Sequence, residues 1–277
     1  MNRVWLVTGA SSGFGRAITE AAVAAGDVVV AAARRTAPLD DLVAAHPDQV
    51  EALALDVTAI ADVQAAVDGV AARHGRIDVL VNNAGRGMVG AVEEATDAEL
   101  RDLMDLHFFG PAALTRAVLP HMRRRSSGTI VQLTSMGGRF AFPGVGAYCA
   151  TKFALEGLSE ALAAEVAPLG IKVLIVEPGA FRTGFAGTEA VAPAPVMDAY
   201  QDTVGPVVSG LPGGSGQEPG DPAKAAAAIL TAVDADEPPL RLPLGNDAVD
   251  AITAQLDGTR AELTNWEKLA RSTDFDA

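Results

Sequence analysis

An α/β fold built on a parallel, doubly wound sheet is predicted by three features of this sequence. Six short apolar runs rich in β-branched residues recur along the chain, helical patterns lie between them, and a glycine-rich turn follows the first run directly. The 277 residues, 49% of them hydrophobic and 20% charged, suffice for one full-sized core and fit a single domain. The net charge of −14 argues against a nucleic-acid partner, which would need a basic face to displace counterions. Cys149 is the only cysteine, so no internal disulfide forms. "MNRVWLVTGA" enters a strand pattern without a signal-peptide layout, and no apolar run is long enough to span a bilayer. These features point to a soluble, cytoplasmic chain with no membrane partner.

The first run, "VWLV" (4–7), is continuously apolar, as a strand covered on both faces would be. It leads into "TGASSGFG", in which Gly9, Ser11, Ser12, Gly13, Phe14 and Gly15 precede a helix. Glycines there let the backbone approach a phosphate, and the N–H groups and dipole of the following helix favour its charge. The spacing is neither G-x-G-x-x-G nor a Walker loop. The second run, "VVVAAA" (28–33), ends in "RR". In dinucleotide folds an acidic residue here holds the ribose hydroxyls of NAD, whereas an arginine accepts the extra phosphate of NADP. Ala33 supplies no acid and Arg34 follows it, with Arg35 as an assistant or a solvated neighbour, so NADP(H) is expected ahead of NAD(H).

The third run, "VEALAL" (50–55), leads to Asp56 and Val57, where the carboxylate would accept a hydrogen bond from an adenine amine. A helix over 59–74, with Ile60, Val63, Val67, Val70 and Ala71 on one face, ends at Gly75. The fourth run, "IDVLV" (77–81), precedes Asn82, Asn83, Ala84 and Gly85, which taken alone also read as an ordinary turn. Long helices are expected over 98–125 and 147–167, around the fifth run "GTIVQLT" (128–134). The sixth, "IKVLIV" (171–176), leads into "EPGAFRTG". Residues 186–222 read as a mobile substrate lid, and 223–277 as C-terminal helices with a short strand. In the final helix, over 247–272, Ile252, Leu256, Leu263, Trp266 and Leu269 would pack on the body or on a partner subunit.

"YCATK" carries the strongest chemical signal, because Tyr148 and Lys152 share a helix face one turn apart. Lowering a phenol pKa from about 10 to about 7 takes roughly 4 kcal/mol. A positive charge about 4 Å away at an effective dielectric of about 20 supplies that amount. The pair can thus act as acid and base near neutrality. Ser135, at the end of the fifth strand, would hydrogen-bond a substrate oxygen.

TGxxxGxG, NNAG, a strand-end serine, YxxxK and PGxxxT, in this order across residues 1–185, resemble the short-chain dehydrogenase/reductase family, a single-domain Rossmann-type fold. The region from Tyr148 to Phe185 is similar to its 17β-hydroxysteroid-dehydrogenase-like branch. The resemblance implies that Tyr148 is the acid/base, that Lys152 holds the nicotinamide ribose, and that Ser135 positions the carbonyl. It implies further that Pro178, Gly179, Phe181 and Thr183 bind the nicotinamide side, with Thr183 on the carboxamide, while Asn83, Ala84 and Gly85 line the adenosine side and brace the sheet. A homodimer or homotetramer through the two long helices is implied as well. The expected activity is NADP(H)-dependent interconversion of a ketone and a secondary alcohol of medium, hydrophobic character. Met88, Met136, Gly137, Phe140, Phe142, Phe181, Phe185 and the lid are the expected substrate neighbours.

One position departs from the family. Its fourth catalytic member is an asparagine in an N-x-x-G pattern, and here the chain reads His107-Phe108-Phe109-Gly110. Pro111 has no N–H, so the His107 carbonyl loses its helical partner and needs another. Three readings of His107 stand: a core histidine satisfied by a polar neighbour, a proton-transfer group titrating near neutrality, or damage that leaves a dinucleotide-binding regulatory protein with little turnover. A sugar-nucleotide epimerase also uses YxxxK, but with a different glycine pattern and a longer chain. His46, His74 and His121 lack ligand-like spacing, so no metal site is expected.

Overall fold

The computed structural model describes residues 2–184, 191–193, 196–210 and 216–275. Seven parallel strands form the central sheet: β1 (Val4–Thr8), β2 (Val28–Ala33), β3 (Val50–Ala54), β4 (Val79–Asn82), β6 (Gly128–Leu133), β7 (Ile171–Pro178) and β9 (Arg241–Leu244). Their order is β3-β2-β1-β4-β6-β7-β9, and a separate two-stranded ribbon pairs β5 (Gly87–Val89) with β8 (Val191–Pro193). All five residues of β1 are buried, which is why its apolar run shows no alternation.

One face of the sheet is covered by α1 (Gly13–Ala24) and α8 (Pro222–Asp234), whose Ile18, Ala22, Ile229 and Val233 pack on Val7, Val29 and Val81. The other face carries α3 (Ile60–His74), α5 (Gly110–Arg125) and α6 (Gly146–Val166), with Val63, Val67, Leu114, Val118 and Leu162 over Leu6, Val30 and Leu80. Of the short helices α2 (Asp40–Ala45), α4 (Asp97–Met104) and α7 (Gly205–Gly210), α2 adds Leu42 to the core on the α1 side. The last helix, α9 (Asn246–Arg271), buries Ala248 and Ile252 and then runs past the body. No helix among the described residues is long and apolar enough to cross a membrane.

Three sequence expectations are refined by the structure. Ile60 is 38% exposed, because as the first residue of α3 it precedes the turns that reach the sheet. The helix expected over 98–125 is present as a continuous run of α4, a π-helical stretch at Asp105–Phe109, and α5. There the Gly110 N–H donates to the Asp105 carbonyl, five residues back. The π-helical stretch falls where Pro111 withholds a donor from His107. In α9, Leu256, Leu263, Trp266 and Leu269 are exposed, so of the two expected placements they do not take the one on the body, which ends beneath Ile252.

Candidate active site

Strand order reverses at β1, whose neighbours are β2 on one side and β4 on the other. A crevice opens there beyond the carboxyl ends of the strands. The buried Thr8 closes its base: the hydroxyl donates to the Val81 carbonyl (3.1 Å) and accepts from the amides of Asn83 (3.0 Å) and Ala84 (3.2 Å). Asn83 Nδ2 returns hydrogen bonds to the carbonyls of Thr8 and Gly9 (2.9 and 3.2 Å), tying β4 to the glycine turn.

Gly13 opens α1 at φ +54°, a conformation that favours glycine. Gly15 does not face the crevice. A Cβ there would lie 2.3 Å from the Gly9 carbonyl oxygen, so Gly15 seats α1 against the turn. Gly9, Ser11, Ser12, Gly13 and Phe14 do line the cavity, whose volume is about 780 Å³.

At one end of this cavity stand Arg34, Arg35, Asp56 and Val57. Both arginines are exposed, and neither side chain is hydrogen-bonded to another described residue. Asp56 accepts from the Thr58 amide (3.0 Å) and hydroxyl (2.8 Å), and these bonds hold its carboxyl below the usual range. Asn83, Ala84 and Gly85 line the middle. Pro178, Gly179, Phe181 and Thr183 line the side beyond β7, where the Phe181 and Phe14 rings meet at 5.0 Å. Asp247, in the first turn of α9, pins this segment by accepting the Ala180 amide at 2.7 Å.

The opposite end gathers Ser135, Tyr148 and Lys152 on the cavity wall. Ser135 follows β6 and caps the turn Met136–Gly138 by accepting the Gly137 amide at 3.0 Å, and it is hydrogen-bonded to the Tyr148 hydroxyl. Lys152 is buried, and its Nζ donates to the Leu133 carbonyl at 2.9 Å. The ammonium lies 5.6 Å from the Tyr148 ring centroid. The lowering of the phenol expected from this charge is outweighed by the cost of burial. Leu133 supplies the acceptor that holds Lys152, and burial pushes the Tyr148 phenol well up despite the Ser135 hydrogen bond. Burial also pulls Lys152 down to about 8, opposed by the charge of Glu156 one turn further on.

His107 stands behind the cavity wall, in the π-turn and 1% exposed. Its Nε2 accepts the Arg86 amide at 3.1 Å, which assigns the ring proton to Nδ1. Nδ1 then donates to Thr151 Oγ1 at 2.9 Å, and that hydroxyl donates to the Tyr148 carbonyl at 2.7 Å. The imidazole edge meets the Tyr148 ring at 5.6 Å. Burial, with the charges of Lys152 and Arg86 adding to it, holds the pKa of His107 well below the usual histidine value. The ring is therefore neutral and has a partner on each nitrogen.

Of the expected substrate neighbours, Met88, Met136, Phe142 and Phe181 line the cavity, whereas Gly137 and Phe140 do not, because the turn after Ser135 directs them away. Phe185 lies outside the described residues, as do 186–190, 194–195 and 211–215 of the expected lid. The described part of that region is structured: β8 extends the ribbon beside Met88, and Val207 and Val208 of α7 pack near Phe142 and Tyr148. Sequence reading missed Thr151, Arg86, Leu133 and Asp247 as supports. Thr151 alone carried a visible signal, a hydroxyl inside the YCATK segment.

Residues 3–192 match the family model described as short chain dehydrogenase. The chain belongs to the short-chain dehydrogenase family. A relative of this short-chain dehydrogenase, the oxidoreductase BOA17 of Botryotinia fuckeliana, is 40% identical over 271 residues, covering 98% of each chain. The 3-ketodihydrosphingosine reductase of Bacteroides thetaiotaomicron is 42% identical over 190 residues, 69% of this chain and 68% of that one. A solved short-chain dehydrogenase from Streptomyces avermitilis superposes with a TM-score of 0.94 at 61% identity, covering 99% of this chain and 100% of the other.

Proposed function

We propose that this short-chain dehydrogenase is an NADP(H)-dependent oxidoreductase that interconverts a carbonyl and a secondary alcohol on a medium-sized hydrophobic substrate. The carrying observation is that Ser135, Tyr148 and Lys152 converge at one end of a continuous cavity whose other end holds the glycine turn and two exposed arginines. A nicotinamide dinucleotide bound there would exchange the hydride. Arg34 and Arg35, free of hydrogen bonds to described residues, suit a ribose phosphate through charge-assisted pairs. Asp56 suits an adenine amine.

In the reducing direction Tyr148, whose phenol burial keeps protonated, donates its proton to the developing alkoxide. Ser135 donates a hydrogen bond to the same oxygen and steadies its charge. Lys152, fixed on the Leu133 carbonyl, brings a positive charge beside the phenol as it ionises. His107 positions these groups: its two hydrogen bonds join the Gly85-Arg86 segment to the start of α6, and so hold Tyr148 in place. The apolar wall of Met88, Phe142 and Phe181 supports a hydrophobic substrate, in keeping with the similarity to the 17β-hydroxysteroid-dehydrogenase-like branch and with a Bacteroides relative named for the reduction of a keto group. The single, buried Cys149 suits a cytoplasmic setting, and the family's long-helix contact suits a homo-oligomer.

A panel of hydrophobic ketones and alcohols assayed with NADPH and NADH tests this reading. Turnover with preference for NADPH is expected. Tight NADPH binding without turnover of any member would instead favour a regulatory dinucleotide-binding protein.

A further inference from the structure

The arm of α9 beyond Ile252 is exposed at every residue from Thr253 to Arg271, a length of about 28 Å at 1.5 Å per residue. A solvated helix of this length, with a glycine at 258, gains little from propensity alone and ordinarily draws its stability from an apolar face packed on something. Such a face is present. Val249, Leu256, Leu263 and Ala270 repeat every seven residues, with Ile252, Thr259 and Trp266 interleaved, which is the a/d spacing of a two-helix seam. At Ile252 this stripe rests on the body, and beyond the body's edge Leu256, Leu263 and Trp266 are 53%, 66% and 62% exposed.

Charge selects the occupant. The chain carries −14 overall, which opposes the approach of a second copy at long range. The arm is balanced: Asp257, Glu262 and Glu267 stand against Arg260, Lys268 and Arg271. Arg260 and Glu267 both flank the stripe at the e position, seven residues apart. When two such helices pair antiparallel with Leu263 of one opposite Trp266 of the other, Thr259 meets Ala270, and each Arg260 faces Glu267 of the second copy. Parallel pairing would instead set each e residue beside a g residue, which puts Arg260 near uncharged Gln255 or acidic Glu262 and gives no reciprocal pair between Arg260 and Glu267.

We propose that the α9 arm is a self-association surface that pairs antiparallel with the α9 arm of a second copy of this chain, about a two-fold axis between Leu263 and Trp266. This contact is separate from the long-helix interface that the family resemblance implies, because it uses neither α4, α5 nor α6.

Disulfide trapping tests both partner and register. In one helix, residues 260 and 267 are about 10 Å apart, beyond the roughly 7 Å that a disulfide spans, so Arg260→Cys/Glu267→Cys cannot close within a chain. Cys149 is buried and does not compete. Under mild oxidation the double variant is expected to run as a covalent dimer, and each single cysteine variant to stay at least tenfold less cross-linked. Adding Leu256→Glu and Leu263→Glu should abolish the cross-link while the protein remains folded by circular dichroism. The proposal is overturned if the double variant gives no covalent dimer, if the single variants cross-link as readily, or if the link survives both glutamates.

Discussion

Replacing His107 by asparagine isolates what the imidazole contributes. In the wild type the ring is 1% exposed, neutral and bonded on both nitrogens, and its pKa is held well below the usual value of 6.5. In the unfolded chain the same ring protonates near pH 6.5. A histidine whose folded pKa is depressed contributes stability that is present above the unfolded pKa and lost as pH falls below it, because only the unfolded state takes up the proton. At pH 5.5 that uptake favours unfolding by about 1.4 kcal/mol, and at pH 7.5 by about 0.1 kcal/mol. Asparagine does not titrate. At pH 7.5 His107→Asn should destabilise the protein by about 1–3 kcal/mol through a lost hydrogen bond and an incompletely filled site. That penalty should then shrink by about 1 kcal/mol at pH 5.5. Parallel urea titrations of both proteins at the two pH values measure the difference, in which His46, His74 and His121 cancel. A penalty that does not change with pH would refute the neutral buried ring. So would a near-neutral step in the wild-type rate profile that the variant lacks.

Further expectations concern the cavity. Tyr148→Phe should lower turnover by about 100-fold or more while cofactor binding, followed by fluorescence, persists; substantial residual turnover would remove the phenol from its assigned role. Arg34→Ala should weaken NADPH relative to NADH by about 10- to 100-fold, the worth of charge-assisted hydrogen bonds to a phosphate, and an unchanged ratio in kcat/KM would refute the contact. Because burial draws Lys152 down to about 8, its charge is present below that pH and lost above it, so the rate of carbonyl reduction should fall above about pH 8. A rate that stays level to pH 9.5 would show that Lys152 keeps its proton. Gly15→Ala should cost about 1–3 kcal/mol in thermal or urea unfolding and weaken dinucleotide binding, since its methyl group meets the Gly9 carbonyl.

Much of the architecture was legible in the linear sequence because it rests on local regularities. Strands buried on both faces leave unbroken apolar runs, and each of the six runs became a strand of the sheet. The glycine turn could be read from its place after the first run, and Tyr148 and Lys152 from a spacing of one helical turn. Pro111 signalled trouble in the long helix for a reason that acts within five residues, and a π-turn is found there.

Tertiary structure decided what depends on groups distant in sequence. Whether His107 is charged or neutral turns on an amide 21 residues before it and a hydroxyl 44 residues after it. The resting place of Lys152 is a carbonyl on another element, 19 residues upstream, and no spacing within YCATK announces it. Gly15 looked like its neighbours in the turn, and only the 2.3 Å approach to Gly9 distinguishes a packing glycine from one that faces the cavity. The sequence by itself thus determined which elements form and which chemical groups they carry. Folding determined how deeply each group is desolvated and what it is bonded to, because burial and partners are properties of contacts made across the sheet.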